Sequence, residues 1–265
     1  MRSNKSTLPI QSLDRGLQLL IAAGSSNRPL GLAELTEMLG IDRSSAYRLA
    51  NTLKMRGFFH QSPDTKAYTL GPAIWQLASQ MRQSNSLMQI AREHVAELAS
   101  QTGETAHLAV RENDRVLFLE HSLTNQAVGV SAGSGRTEPL HCTALGKALI
   151  SELSAQDINE LLGSGELEKY TANTIRSAGD LASKCKSNQA LGFAVDDEEF
   201  HLGVRCVAAP IHDFDGQIVA AIGMSAPTSR LSKRRTPELG RQVKEVAADI
   251  SRQLGYVQTV EEEVV

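Results

Sequence analysis

The spacing of apolar residues changes character several times along the chain. Leu13, Leu17, Leu20 and Ile21 recur at the spacing of one helix face, and Gly24-Ser25-Ser26-Asn27 ends the run. Leu32, Leu35 and Leu39 predict a short second helix, LAELTEML, closed by Gly40. Asp42 is placed to cap a third helix, from Arg43 to about Arg56, with Gly57 as its stop. That helix should bury Ala46, Leu49, Ala50 and Leu53 and show Arg43, Ser44, Ser45, Tyr47, Arg48, Asn51 and Lys54 on its other side. Two short helices joined by a tight glycine turn are a helix-turn-helix. In FFHQSPDTKAYTLG the period drops to two: Phe59 and Gln61 precede the turn Ser62-Pro63-Asp64-Thr65, and Tyr68 and Leu70 follow it. Residues 1–71 therefore predict a winged helix-turn-helix.

Helical spacing returns over residues 72–103. Ile74, Leu77, Ala78 and Met81 form one stripe and Leu87, Ile90, Ala91, His94 and Leu98 another, with a break at Ser84-Asn85-Ser86 and a stop at Gly103. This segment is expected to be a linker and dimer-forming pair of helices, or an ordinary core helix. From Glu104 the period shortens again. Two strands flank Asn113-Asp114, and two longer apolar strands flank Asp215-Gly216. Between them, a helix is expected from Thr143 to about Leu153. Ser154 to Asp157 is a capping box for a helix through Leu162, and another helix runs from Ser177 to Leu191 with Gly192 behind it. A last helix from about Pro237 repeats Leu239, Val243, Val246, Ala247, Ile250 and Leu254 before Gly255. Hairpins mixed with helices, without regular βαβ alternation, predict an α+β domain around an antiparallel sheet over residues 104–257. Residues 258–265 should be a frayed tail.

Composition narrows the class. The 265 residues are 41% hydrophobic and 22% charged, as in ordinary globular proteins. No apolar run is long enough to cross a membrane, and the N-terminus lacks the apolar core of a signal peptide, so a cytoplasmic location is expected. Cys142, Cys185 and Cys206 are sparse and odd in number, which fits a reducing compartment. The seven histidines show no metal-ligand spacing, the turn HDFDG lacks most ligands of a calcium loop, and no cofactor is implied. The formal net charge is −3, but residues 1–71 hold nine basic and five acidic residues (+4), leaving −7 for the rest. A basic head on an acidic body suggests that the head meets a polyanion.

The third helix supplies the chemistry for double-stranded DNA. Arg43, Ser44, Ser45, Tyr47, Arg48 and Asn51 are candidates for base edges and phosphates in the major groove. Lys66 in the wing, and Arg2 and Lys5 ahead of the first helix, would add attraction to phosphate. A protein-binding winged helix is the alternative. PLHCTALGKAL (139–149) raises a second question, because His141 and Cys142 stand side by side. A thiol enzyme needs its base within hydrogen-bond reach, and neighbours on a strand or a helix point in different directions. The acidic run Asp196-Asp197-Glu198-Glu199 is expected to be largely solvated.

Three blocks together resemble the IclR family of bacterial transcriptional regulators: LAELTEMLGIDRSSAYRLANTLKMRGF, PLHCTALGKAL and GFAVDDEEFHLGVRCVAAPIHDFDGQIVAAIGMSAPTSRL. The resemblance covers nearly the whole chain. It implies a winged-helix DNA reader, a linker helix and a GAF-like effector domain that binds a small metabolite. It also implies a homodimer or homotetramer on a palindromic operator, more often repressing than activating. Carried over residue by residue, the effector contacts are Thr143, Ala144 and Leu145, then Asp196, Val204, Cys206 and Ser225, with Cys142 and His141 shaping the approach. Gly223 departs from the family's serine, which predicts a roomier pocket and an effector larger than the smallest 2-oxo acids. The unpaired N–H groups at the start of the Thr143 helix predict an organic acid, an aromatic or sugar-derived one being preferred.

Overall fold

The computed structural model describes residues 10–26, 28–77, 86–123, 126, 129–130, 133–163 and 165–257. Arg2, Lys5 and the tail 258–265 lie outside these, as does most of the expected break near Ser84. The chain divides into two compact units, residues 1–84 and 85–265.

In the first unit, α1 (Gln11–Ser25), α2 (Leu32–Leu39) and α3 (Arg43–Met55) precede a hairpin of β1 (Phe59–Gln61) and β2 (Tyr68–Leu70). Local signals set the boundaries. Gly40 ends α2 in the left-handed region at φ 60°, and the Asp42 carboxylate accepts from the Ser45 N–H at 2.9 Å to open α3. Phe59 pairs with Leu70 and Gln61 with Tyr68, while Leu30 bridges to Tyr68 as a short third rung. Leu19, Leu30, Leu35, Ala50, Phe59 and Tyr68 make the core.

The face expected for α1 is corrected. Leu13, Leu17 and Ile21 are 59%, 50% and 68% exposed, and the residue α1 buries fully is Leu19, flanked by Leu20, Ala22 and Ala23. The outward leucines are a true helical stripe, and Leu13 and Leu17 wall an apolar cleft of about 720 Å³ against α3. Periodicity identified a stripe but not which of two faces the core occupies.

Residues 72–77 are helical. The second unit begins with α4 (Ser86–Thr102), followed by β3 (Thr105–Glu112), β4 (Arg115–Ser122), β5 (Thr137–Pro139), α5 (Ala144–Leu149), α6 (Ala155–Leu162) and α7 (Ala178–Leu191). Then come β6 (Ala194–Asp197), β7 (Val204–His212), β8 (Ile218–Pro227) and α8 (Thr236–Gln253). The six strands form one antiparallel sheet in the order β5-β4-β3-β8-β7-β6. Alternation splits its faces. Val207, Ala209, Ile211, Ala220, Ile222 and Met224 pack with Leu98 of α4 and Val243 of α8. Ala109, Ala208 and Ala221 pack with α5, α6 and α7 on the other face. The alanines matter there, because small side chains let α5 approach the sheet closely.

Two differences from the sequence expectations have local causes. Helix α5 stops at Leu149 rather than near Leu153. The Ser151 hydroxyl donates to the Ala148 carbonyl at 2.8 Å, and Ser154 must be extended (ψ 160°) to cap α6. Strands β5 and β6 were not anticipated, since TEP and AVDD are too short and polar to announce themselves.

Candidate functional site: an exposed helix face and a small cavity

On α3 the side expected to face DNA is open. Arg43, Ser44, Tyr47, Arg48 and Lys54 are exposed, and Ser45 and Asn51 are partly so. Ala46 and Ala50 anchor the opposite side. Ser44 is held by the Asp42 carboxylate at 2.6 Å, and these hydroxyl and amide donors pull the Asp42 pKa far below the carboxylate range. Lys54 Nζ donates to Gln61 Oε1 at 2.9 Å, tying the helix to the wing. Gln61 Nε2 in turn donates to the carbonyl of Lys66, which sits at the wing turn with φ 56°. Helix and wing thus present Arg43, Arg48, Lys54 and Lys66 from one braced unit.

In the second unit, residues far apart in sequence meet at one cavity of about 40 Å³. Sheet register explains how. Asp196 on β6 pairs with Cys206 on β7, Cys206 with Ser225 on β8, and Ser225 with Thr105 on β3. The result is one polar row across four strands on the face that meets α5. Thr143, Ala144 and Leu145 wall the cavity from the start of α5, and His107, Phe118, Glu138, Phe200 and Val204 are among its other lining residues. Thr143 is the N-cap: its hydroxyl donates to the Pro139 carbonyl at 2.7 Å and accepts from the Gly146 N–H at 3.1 Å. Ala144 and Leu145, whose N–H groups precede the first intrahelical bonds, stand at the wall.

Seven of the nine residues carried over for effector binding line the cavity. Cys142 does not, although it is fully buried. Gly223 is also absent from the wall, which corrects the expectation of a roomier pocket. A Cβ at Gly223 would come within 2.6 Å of the Val207 carbonyl oxygen, so the missing side chain leaves no free space.

Burial sets the charge states. Desolvation raises the Asp196 carboxyl to about 7, against the opposing effects of Lys147 and the Glu199 N–H, which donates to Asp196 Oδ1 at 2.7 Å. Glu138 is also raised by burial. His107, 1% exposed and edge-on to Phe118 at 5.3 Å, is pushed down to about 4 by burial and is neutral. Its Nδ1 has no hydrogen-bond partner among the described residues, an unmet polar group at the cavity wall.

The acidic run is not solvated, which corrects that expectation. Asp196 and Glu199 are buried. Glu199 pairs with Lys147 of α5, itself 0% exposed, and Asp197 pairs with Arg205 and Lys233. The turn is strained and strapped: Glu198 has φ 61°, its carboxylate takes the Gly203 N–H at 2.8 Å, and the Thr171 and Thr174 hydroxyls hold the carbonyls of Glu198 and Glu199. Lys147 and His107 were missed as elements of the site. The available signal was a lysine inside the small apolar run ALGKAL, and a histidine in step with Thr105 and Ala109 along β3.

His141 and Cys142 do not form a catalytic pair in this arrangement. His141 Nε2 is engaged with the Glu168 carbonyl at 2.9 Å. Burial, reinforced by Asp196, pushes the Cys142 thiol far above its ordinary value. Burial also raises Cys206 strongly and Cys185 to about 11. All three are protonated near neutrality and poor nucleophiles.

A helix-turn-helix with an open recognition face, followed by a sheet domain with a small cavity, is the architecture of a transcriptional regulator. Residues 12–63 match the IclR helix-turn-helix domain, and residues 79–252 match the bacterial transcriptional regulator IclR C-terminal domain. The chain belongs to the IclR family of transcriptional regulators. It is 33% identical over 243 residues to the HTH-type transcriptional regulator BhcR of Paracoccus denitrificans, covering 91% of this chain and 86% of that one. It is 32% identical over 248 residues to the acetate operon repressor of Salmonella typhimurium, covering 93% and 90%. Among solved structures, Thermotoga maritima IclR aligns over 94% of this chain and all of its own, at 27% identity and a TM-score of 0.76. An IclR homolog from Microbacterium hydrocarbonoxydans, solved with 4-hydroxybenzoate, shares the fold at 21% identity and a TM-score of 0.77, covering 91% and 99%.

Proposed function

We propose that this chain is an effector-responsive repressor of a palindromic operator, acting as a cytoplasmic homodimer or homotetramer. Residues 1–71 form the DNA-binding domain, 72–103 the linker, whose second helix α4 packs into the core of the effector-binding domain at 104–257, and 258–265 a tail. Arg43, Ser44, Ser45, Tyr47, Arg48, Asn51 and Lys66 contact DNA, which their shared open face supports. The exposed Leu13–Leu17–Ile21 stripe supports self-association through a second copy.

The effector site is the cavity joining Thr143, Ala144 and Leu145 to Asp196, Val204, Cys206 and Ser225, with Cys142 and Gly223 behind its walls. The observation that carries this reading is the polar row Asp196–Cys206–Ser225 facing the start of α5 across one small cavity. The ligand is a small organic acid. A cavity of about 40 Å³ holds on the order of three waters. Its size favours an acid of a few heavy atoms over the aromatic or sugar-derived class. An acid as large as the 4-hydroxybenzoate bound by the Microbacterium homolog requires the walls to part. Asp196, raised to about 7, is in part protonated near neutrality, and in that form its O–H donates a hydrogen bond to the acid's carboxylate instead of repelling it.

The test is a thermal-shift screen of two- to four-carbon acids against aromatic acids, on the wild type and on Ser225→Phe, which fills the cavity. A shift from a short acid that disappears in Ser225→Phe supports the assignment. Shifts from aromatic acids alone, or shifts that survive the substitution, contradict it.

A further inference from the structure

A second and larger opening lies in the same unit, beyond the end of β6. That strand starts at Ala194, opposite Ala208 of β7, so β7 runs on through His212 paired with β8 on one side and with no strand on its β6 side. Here α5, α7 and α8 diverge and leave a cleft of about 590 Å³, within the range of small-molecule sites. The open edge is closed to strand addition. Pro210 has no N–H, and the N–H of His212 donates to Ser251 Oγ at 3.0 Å. What the cleft accepts is therefore read from its side chains.

Its floor is apolar, formed by Ala148, Phe193, Ala209 and Pro210. Along one edge Lys244, Ala248 and Arg252 fall at i, i+4 and i+8 of α8, two cations separated by a gap the width of an alanine. Lys244 has no carboxylate partner among the described residues. Its Nζ donates to the Leu191 carbonyl at 3.3 Å, while Arg252 pairs with Asp249. The far wall is planar, with the His212 ring stacked on Tyr256 at 4.9 Å and 21° and oriented by Glu152 at 2.9 Å. Asn188 also lines the cleft. It is 2% exposed, yet its Nδ2 has no hydrogen-bond partner among the described residues, a buried donor that a bound acceptor would satisfy.

We propose that this cleft is a second small-molecule site, for a planar anion. The ring lies against Pro210 and the His212–Tyr256 stack, and the acidic group lies between Lys244 and Arg252. This site does not depend on the reading of the smaller cavity, although α5 contributes its first residues to one and Ala148 to the other.

The probe is 8-anilinonaphthalene-1-sulfonate, titrated into the full chain and followed by fluorescence, with alanine methyl NMR to locate it. The expected result is saturable binding of one equivalent, with shifts at Ala148, Ala194, Ala209 and Ala248. Lys244→Glu and Ala248→Trp, both at exposed positions, should each weaken it tenfold or more, and Ser225→Phe should leave it unchanged. Absence of saturable binding overturns the proposal. So does binding that Lys244→Glu and Ala248→Trp leave intact, or binding lost in Ser225→Phe, which places the probe in the sheet cavity. Binding that appears only after removal of residues 258–265 assigns the cleft to the acidic tail and also overturns it.

Discussion

Lys147→Met tests whether the buried ion pair holds the cavity together. Lys147 is 0% exposed and its ammonium meets Glu199, which is 6% exposed, so the substitution leaves a carboxylate buried without its cation. Glu199 Oε2 already lacks a hydrogen-bond partner among the described residues. Removing one member of a buried pair costs about 3–5 kcal/mol. For a unit of this size each kcal/mol lowers Tm by about 2–4 °C, so a fall of roughly 6–20 °C is expected. Glu199→Leu added to Lys147→Met removes the stranded charge and should restore most of the loss, because an apolar pair of similar volume replaces an ion pair at little cost. Urea unfolding of the wild type, both single variants and the double variant gives the coupling energy, expected at about 2 kcal/mol or more. Single variants that each cost under about 1 kcal/mol and add in the double would refute the reasoning, since independent sites add.

Three further outcomes follow from named contacts. Arg48→Ala should weaken operator binding by about 1–3 kcal/mol with acid binding unchanged, and Lys66→Ala should lower the salt dependence of DNA binding by about one ion, both measured by anisotropy. Asp196, raised from 3.8 to about 7, binds its proton more tightly in the folded than in the unfolded chain. Its contribution to stability is therefore full below about pH 4 and lost as pH rises through about 7. Asp196→Asn should flatten that decline in urea unfolding between about pH 5 and 8, and an unchanged decline counts against the burial argument. Gly146→Ala should destabilise by about 1–3 kcal/mol in the same assay, because a Cβ there overlaps the Leu140 backbone. A neutral result would mean that α5 can lift from its bed.

What was legible in the sequence was whatever is encoded within a few residues. Asp42, Ser154 and Ser177 cap helices and Gly40 and Gly192 end them as their residue types require. The turns at Asn113 and Gly216 take the left-handed backbone that hairpin loops demand. What was not legible depends on partners distant in the chain. The outward stripe of α1 has the same period as a buried one. Whether Asp197 and Glu199 are solvated depends on Arg205 and Lys147, the latter 52 residues before Glu199. The seven cavity residues carried over by resemblance do converge, yet a Cβ at Gly223 would meet the Val207 carbonyl of β7 rather than the cavity, which no local pattern reports.

The central claim is that occupation of the Asp196–Ser225 cavity changes operator affinity. It is tested most directly by the anisotropy of labelled DNA from upstream of the gene, titrated with protein in the presence of each short acid. The account predicts that one such acid shifts the operator Kd by about 5–150-fold. It also predicts that Ser225→Phe binds the DNA as the wild type does but no longer responds to the acid. A shift that persists undiminished in Ser225→Phe, or a wild type that binds the DNA identically with every acid, would contradict it.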